Sequence, residues 1–162
     1  MKKRTAYWMH AAMIAAIYTA LTMLFRPISY GMMQVRVSEA LTVLPFLTPA
    51  AIPGLAIGCL ISNILGPYGL MDMVVGTAAT TLAAYLSSKM KLKALVPLPP
   101  VLINAVFIGA MLYYLFLGSP DQAPLWSIML WVGAGQMAAC YGLGYPLLIL
   151  LEKYRHRIFA EF

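Results

Sequence analysis

The sequence predicts an all-α integral membrane protein, a single bundle of six transmembrane helices spanning residues 1–162. Three observations carry that prediction. First, 62% of the 162 residues are hydrophobic and only 10% are charged, with a mean hydropathy of +0.83. A soluble domain carries about 25% charged residues. A chain of this size also leaves roughly a third of its unfolded surface exposed after folding in water. So few polar groups cannot cover that surface, and the remaining solvent is lipid. Second, long apolar runs alternate with Pro- and Gly-rich breaks. Third, the basic residues gather beside those runs: Lys2, Lys3 and Arg4; Lys89, Lys91 and Lys93; Lys153, Arg155 and Arg157.

A helix rises 1.5 Å per residue, so about 20 apolar residues cross a bilayer core of about 30 Å. The first span is read over Tyr7 to Phe25. Its basic start is shared with signal peptides, but the apolar stretch is too long for one and no small-x-small pattern closes it. Arg26-Pro-Ile-Ser-Tyr-Gly breaks it, and a loop or partial strand carries Gln34 and Arg36. Ser38 is placed as the N-cap of a short second helix, Glu39 to Leu47. Thr48-Pro49 and Pro53-Gly54 punctuate the next turn, and the third helix covers Ala50 to Leu65. Gly66-Pro67-Tyr68-Gly69 is a turn, and the fourth helix covers Leu70 to Ser88. The lysine cluster and Pro97-Leu98-Pro99-Pro100 separate it from the fifth, Val101 to Leu117. Gly118-Ser-Pro-Asp121 is a further turn. The sixth helix, Leu125 to Leu151, is long enough to span with tilt, and a basic tail follows.

Six crossings put all three basic clusters on one side and leave Arg26 and Arg36 on the other. The positive-inside rule then sets both termini in the cytoplasm, in the plasma membrane of a prokaryotic cell. A second helix that failed to cross would break that parity. The net charge of +6 invites a nucleic-acid reading, but no basic face is free of apolar flanks. Cys59 and Cys140 lie inside apolar runs and read as small buried side chains, with neither the number nor the spacing for a disulfide framework or metal site. His10 and His156 lie near the cytoplasmic ends of helices and read as interfacial. No enzymatic motif, metal set or cofactor motif is found. No internal repeat is visible, which argues against a transporter that works alone.

Polar residues inside spans are costly and mark function by default. Glu39, Asn63 and Asp72 lie at helix ends toward the outside. Asn104 and Gln136 lie deeper, about 20 and 17 Å from the outer ends of helices five and six by helical rise, and so at one level beneath that trio. Each also has a plain structural role open to it: a helix cap for Asp72 and Asn63, a first-turn acid for Glu39, interhelical hydrogen bonds for Asn104 and Gln136. Together they suggest a pocket open to the outside, with Tyr30, Tyr68, Trp126 and Tyr141 as flat walls. Carboxylates and amides suit a planar ligand with N–H donors and a carbonyl, and aromatic rings stack on such a ligand. On helix one, Ala12, Ala16 and Ala20 recur every four residues, with Ala11 and Ala15 beside them. Small residues so spaced let another helix approach closely, from within the bundle or from a partner.

The stretch Ile28-Ser-Tyr-Gly-Met-Met-Gln-Val-Arg-Val-Ser-Glu-Ala-Leu-Thr-Val-Leu-Pro45 resembles the signature of the queuosine-precursor transporter family. So do Thr48-Pro-Ala-Ala-Ile-Pro-Gly-Leu-Ala-Ile-Gly-Cys-Leu-Ile-Ser-Asn63 and Gly69-Leu-Met-Asp72. The resemblance covers nearly the whole chain. These proteins are substrate-binding S components of energy-coupling-factor (ECF) transporters. The resemblance implies a six-helix capture subunit without its own ATPase, which works with a transmembrane coupling subunit and two cytoplasmic ATPases. It implies toppling in the membrane to carry the pocket inward, with the alanine stripe Ala12, Ala16 and Ala20 as the coupling surface and Ala11 and Ala15 adjacent. It also implies a 7-deazaguanine ligand: preQ0, preQ1 or queuine. On that ligand Glu39 or Asp72 is expected to accept the ring and amine N–H donors. Asn63, Asn104 and Gln136 are expected at the carbonyl and pyrrole edges, and the loop from Arg26 to Arg36, with Gln34, as a lid. The near alternative is an S component for another vitamin-like ligand, riboflavin or thiamine. A lipid-active enzyme lacks a base or metal partner for Asp72, and a purely structural subunit leaves the outer polar cluster without a role.

Overall fold

A computed structural model describes residues 2–30, 34–117 and 123–154. The turn at Gly118 to Asp121, and Arg155, His156 and Arg157 of the basic tail, lie outside the described residues. The described residues form helices: α1 (Lys2–Leu24), α2 (Val37–Phe46), α3 (Ala51–Ile64), α4 (Gly69–Lys89), α5 (Leu98–Leu115) and α6 (Leu125–Lys153). A single helical turn, Arg26–Ser29, follows α1, where the sequence suggested only a break. Among the described residues, four segments are long and apolar enough to cross a membrane: Lys3–Leu24, Gly69–Lys89, Lys93–Leu115 and Leu125–Lys153. Val37–Phe46 and Ala51–Ile64 are apolar but shorter.

α1 packs on α3, α3 on α4, α4 on α5 and α5 on α6, while α2 runs through the middle against α1, α3, α4 and α6. Two glycines on α3 set the closest of these approaches. A Cβ on Gly54 would lie 2.7 Å from the Ala11 carbonyl oxygen, and one on Gly58 2.8 Å from that of Ala15. Ala11 and Ala15 are therefore buried in the α1–α3 seam, whereas Ala12, Ala16 and Ala20 face outward. The five alanines do not form one accessible surface, because residues one apart on a helix point about 100° apart.

α2 departs most from expectation. It is a 3₁₀ helix of ten residues, longer than the three or four residues usual for that form. At about 2 Å per residue it reaches about 20 Å, where an α-helix of equal length reaches about 15 Å. Ser38 does not cap it. The residue preceding the helix is Arg36, which makes no side-chain cap bond, and the Ser38 hydroxyl accepts a 2.7 Å hydrogen bond from Thr22 of α1. Every residue from Ser38 to Pro45 is buried.

The two longest interruptions fall within continuous helices. α4 widens to a π-helix over Asp72–Gly76, and α6 over Ala138–Gly144. The second lies just before Pro146, whose missing N–H removes one hydrogen bond from an α-helical ladder. The widened turn also brings Gly144 against α2, where a Cβ would lie 2.9 Å from the Ala40 carbonyl oxygen. Pro99 and Pro100 sit in the first turn of α5, where no intrahelical N–H bond is due.

The distribution of polarity is inverted relative to a water-soluble protein. Met9, Met13, Ile17, Ile61, Leu102, Val106, Phe107, Leu130, Trp131 and Leu150 are exposed. Arg36, Glu39, Thr42, Asn63, Asp72, Thr80, Asn104 and Gln136 are at most 2% exposed. Such a surface is stable against hydrocarbon, with polar groups sequestered among helices.

Candidate ligand-binding site

The buried polar residues form two connected nodes. The inner node centres on Glu39, in the first turn of α2. Its Oε1 accepts hydrogen bonds from the Tyr18 hydroxyl of α1, at short range, and from Thr80 Oγ1 of α4 at 2.9 Å. Its Oε2 accepts from Asn104 Nδ2 of α5 at 3.3 Å. One carboxylate thus ties α2 to three surrounding helices. Hydrogen bonds to a charged acceptor are among the stronger ones in proteins, about 1.5–3 kcal/mol each. Thr42 Oγ1 donates to the Glu39 carbonyl at 2.6 Å. The two residues are eclipsed three apart, as a 3₁₀ helix requires. Cys140 of α6 bridges to the Glu39 carbonyl at 3.6 Å and to Gln136 Oε1 at 3.7 Å.

The outer node lies where the loop before α2 meets α3 and α4. Arg36 Nη2 and Asp72 Oδ2 form an ion pair at 2.8 Å, with both side chains at most 3% exposed. Asn63 Nδ2 donates to the Asp72 carbonyl at 2.8 Å, joining the end of α3 to the start of α4. Gly76, at the end of the π turn, makes room for this. A Cβ there would collide with Asp72 Oδ1 and lie 2.7 Å from Asn63 Nδ2. The Arg36 guanidinium also stands 5.3 Å from the centre of the Tyr30 ring, within cation–π range. Burial, the largest single influence, disfavours the Arg36 charge, but Asp72 together with the smaller contributions of Tyr18, Cys59 and Glu39 holds the guanidinium above its ordinary range. Burial pushes the Tyr30 phenol up to about 12, and its hydroxyl donates to the Ser62 carbonyl at 2.7 Å. Tyr68 donates to the Tyr30 carbonyl at 2.5 Å, and the two rings meet edge to face.

Several buried polar atoms of these nodes have no hydrogen-bond partner among the described residues: both ends of the Gln34 amide, Arg36 Nε, Asn63 Oδ1, Asp72 Oδ1 and Asn104 Oδ1. An unpaired buried polar atom costs about 1–3 kcal/mol, and native proteins carry few of them. Gln34 adds backbone strain, with φ at +43°, in the left-handed region that side chains other than glycine seldom adopt. Its own carbonyl accepts from the Arg36 N–H at 2.8 Å, closing a tight turn. Costs concentrated in this way make these nodes the candidate ligand site.

The sequence located most of this constellation but grouped it differently. Glu39 joins the inner residue Asn104, not an outer trio, because α2 is buried from Ser38 to Pro45. Gln136 reaches the same level through Cys140. Asp72 and Asn63 do not act as helix caps. Arg36, expected in a lid, is a buried partner of Asp72. Two of the four proposed walls lie elsewhere. Trp126 is 65% exposed on the outside of α6. Tyr141 donates to the Ala94 carbonyl at 2.9 Å, in the turn beside Lys93, at the opposite end of the bundle from Asp72. Lys93 in that turn pairs with Glu152 at 2.8 Å. Tyr18 and Thr80 were missed, because a hydroxyl in an apolar span is a common packing residue and gives no signal of its own. Cys59 and Cys140 are buried free thiols, as expected.

A family model described as QueT transporter matches residues 8–153. A curated relative, the queuosine precursor transporter QueT of Lactococcus lactis subsp. cremoris (strain MG1363), is 41% identical over 83 residues. That match spans 49% of this chain and 48% of the relative, about half of its length. No solved structure matches the chain.

Proposed function

The chain belongs to the QueT transporter family, and from that premise we propose that it is the membrane-embedded capture subunit of an ECF-type importer for a 7-deazaguanine queuosine precursor. The family match carries this reading. The buried polar nodes support it. A deazaguanine offers a ring N–H, an exocyclic amine and a pyrrole N–H, with a carbonyl and a ring nitrogen as acceptors. The unpartnered atoms supply both complements: acceptors on Asp72, Asn63, Asn104 and Gln34, donors on Gln34 and Arg36. In this proposal the ligand enters from outside, and Gln34 and Arg36 close over it beside Tyr30 and Tyr68. Each hydrogen bond then forms away from water, where it is strongest. α2 and α3 complete six crossings, with both termini and the lysine clusters on the cytoplasmic side. A transmembrane coupling subunit and two ATPases supply the energy, and the subunit topples to release its ligand inward.

The test is binding by detergent-purified protein to preQ0, preQ1, queuine, guanine, riboflavin and thiamine, followed by calorimetry or thermal shift. Tight binding of a deazaguanine, with guanine weaker, is the expected result. A response to riboflavin or thiamine alone would keep the capture role and discard the ligand. A folded sample that answers none of them would remove the capture role.

A further inference from the structure

Two buried carboxylates face the proposed ligand region, and their remaining capacity differs. Both oxygens of Glu39 already accept from protein donors: Tyr18 and Thr80 at Oε1, Asn104 at Oε2. Asp72 uses only Oδ2, for Arg36, and its Oδ1 has no partner. The space beside Oδ1 is kept by Gly76, where any Cβ would intrude. Unpartnered neighbours complete a mixed edge around it: Arg36 Nε as donor and Asn63 Oδ1 as acceptor, with Gln34 two residues before Arg36. A carboxylate already held by a guanidinium is fixed in place, so its free oxygen is a preorganised acceptor for N–H.

Resting on the deazaguanine reading above, we propose that Asp72 is the carboxylate that accepts the ligand's ring N–H and exocyclic amine, and that Glu39 is a positioning residue that holds α1, α4 and α5 around α2. Specificity for a 2-amino ring then resides at the π turn of α4. Removing the amine from the ligand takes one of its two donors from the buried Asp72 carboxylate, and a site built for that donor binds the analogue that lacks it more weakly.

The experiment pairs ligand and protein changes. 7-Deazaguanine and 7-deazahypoxanthine, which lacks only the amine, are titrated into wild type, Asp72→Asn and Glu39→Gln. Asp72→Asn strips Arg36 of its counter-charge, so the neutral double variant Arg36→Met/Asp72→Asn is measured beside it. Wild type is expected to lose about 10- to 100-fold in affinity when the amine is absent, the range for one hydrogen bond to a charged acceptor. In the Asp72 variants that penalty is expected to shrink to about twofold, because changes at two groups in contact are not additive. In Glu39→Gln it is expected to persist while the melting temperature falls. A penalty unchanged in the Asp72 variants, or lost in Glu39→Gln, overturns the assignment and leaves the functional reading standing. Wild type that binds neither ring overturns both.

Discussion

Gln34 joins three costs that a residue rarely carries together: complete burial, an amide unpaired at both ends, and a left-handed backbone. A strained φ/ψ costs about 1–3 kcal/mol, and the unpaired amide a similar amount. Both are offset when a ligand accepts from Nε2 and donates to Oε1. Gln34→Gly frees the backbone and deletes the amide together. That variant is expected to melt higher than wild type without ligand and to bind a deazaguanine about tenfold more weakly. Gln34→Leu keeps the bulk and the strain and loses the amide, so it is expected to bind weakly with a smaller gain in melting temperature than Gln34→Gly. Thermal shift with and without ligand checks both. Wild-type affinity in Gln34→Gly would remove Gln34 from the site. The residue scale also shows what a sequence cannot display. Gln34, Asn63, Asp72, Asn104 and Gln136 stand out because an apolar chain makes each of them conspicuous. Tyr18 and Thr80 do not, although they hold Glu39 as firmly as Asn104 does. The partner of a hydroxyl is fixed by packing between helices that lie far apart in sequence.

Each contact of the inner node depends on an interhelical distance, and glycine sets the shortest of them. At Gly58 of α3 a Cβ would lie 2.8 Å from the Ala15 carbonyl oxygen and 2.9 Å from Tyr18 Cβ. A larger residue there must push α1 away and carry the Tyr18 hydroxyl off Glu39. Overpacking of a tight seam costs about 1–3 kcal/mol. Gly58→Val is therefore expected to lower both melting temperature and ligand affinity. Gly142→Ala, with nothing within 4 Å of its Cβ, is expected to change neither. Independent loss of stability with full affinity would mean that Tyr18 does not position the site. The elements themselves were unequally legible. Hydropathy and Pro/Gly punctuation found α1, α3, α4, α5 and α6 to within a few residues, because hydrocarbon imposes length and apolarity on a span. The 3₁₀ form of α2 carries no comparable signature. Its polar Ser38 and Glu39 face the same interior as its apolar residues, so no amphipathic period forms. The π turns at Gly76 and Gly144 depend on which helix presses against one glycine, which is a tertiary fact.

At the scale of the whole molecule, α1 has two faces in different surroundings. Ala11 and Ala15 are buried against Gly54 and Gly58, and they hold the bundle together. Ala12, Ala16 and Ala20 are exposed on a flank with Met9, Met13 and Ile17. Lipid alone would accept leucine at these three positions as readily as alanine. A stripe of small side chains on an outer surface gains an advantage only where another helix backbone approaches closely. In the proposed importer that helix belongs to the coupling subunit, so the two faces separate by experiment. Ala16→Leu leaves the ligand nodes and the α1–α3 seam untouched. It is expected to bind a deazaguanine with wild-type affinity in detergent, yet to fail to co-purify with the coupling subunit and to import ligand in reconstituted vesicles. Ala15→Leu enters the seam beside Gly58 and is expected to lower the melting temperature instead, by an overpacking cost of about 1–3 kcal/mol. Wild-type uptake by Ala16→Leu would move the coupling contact off this face. The capture role would survive that result, because ligand binding draws on α2, α4 and the loop before α2, none of which includes the exposed side of α1.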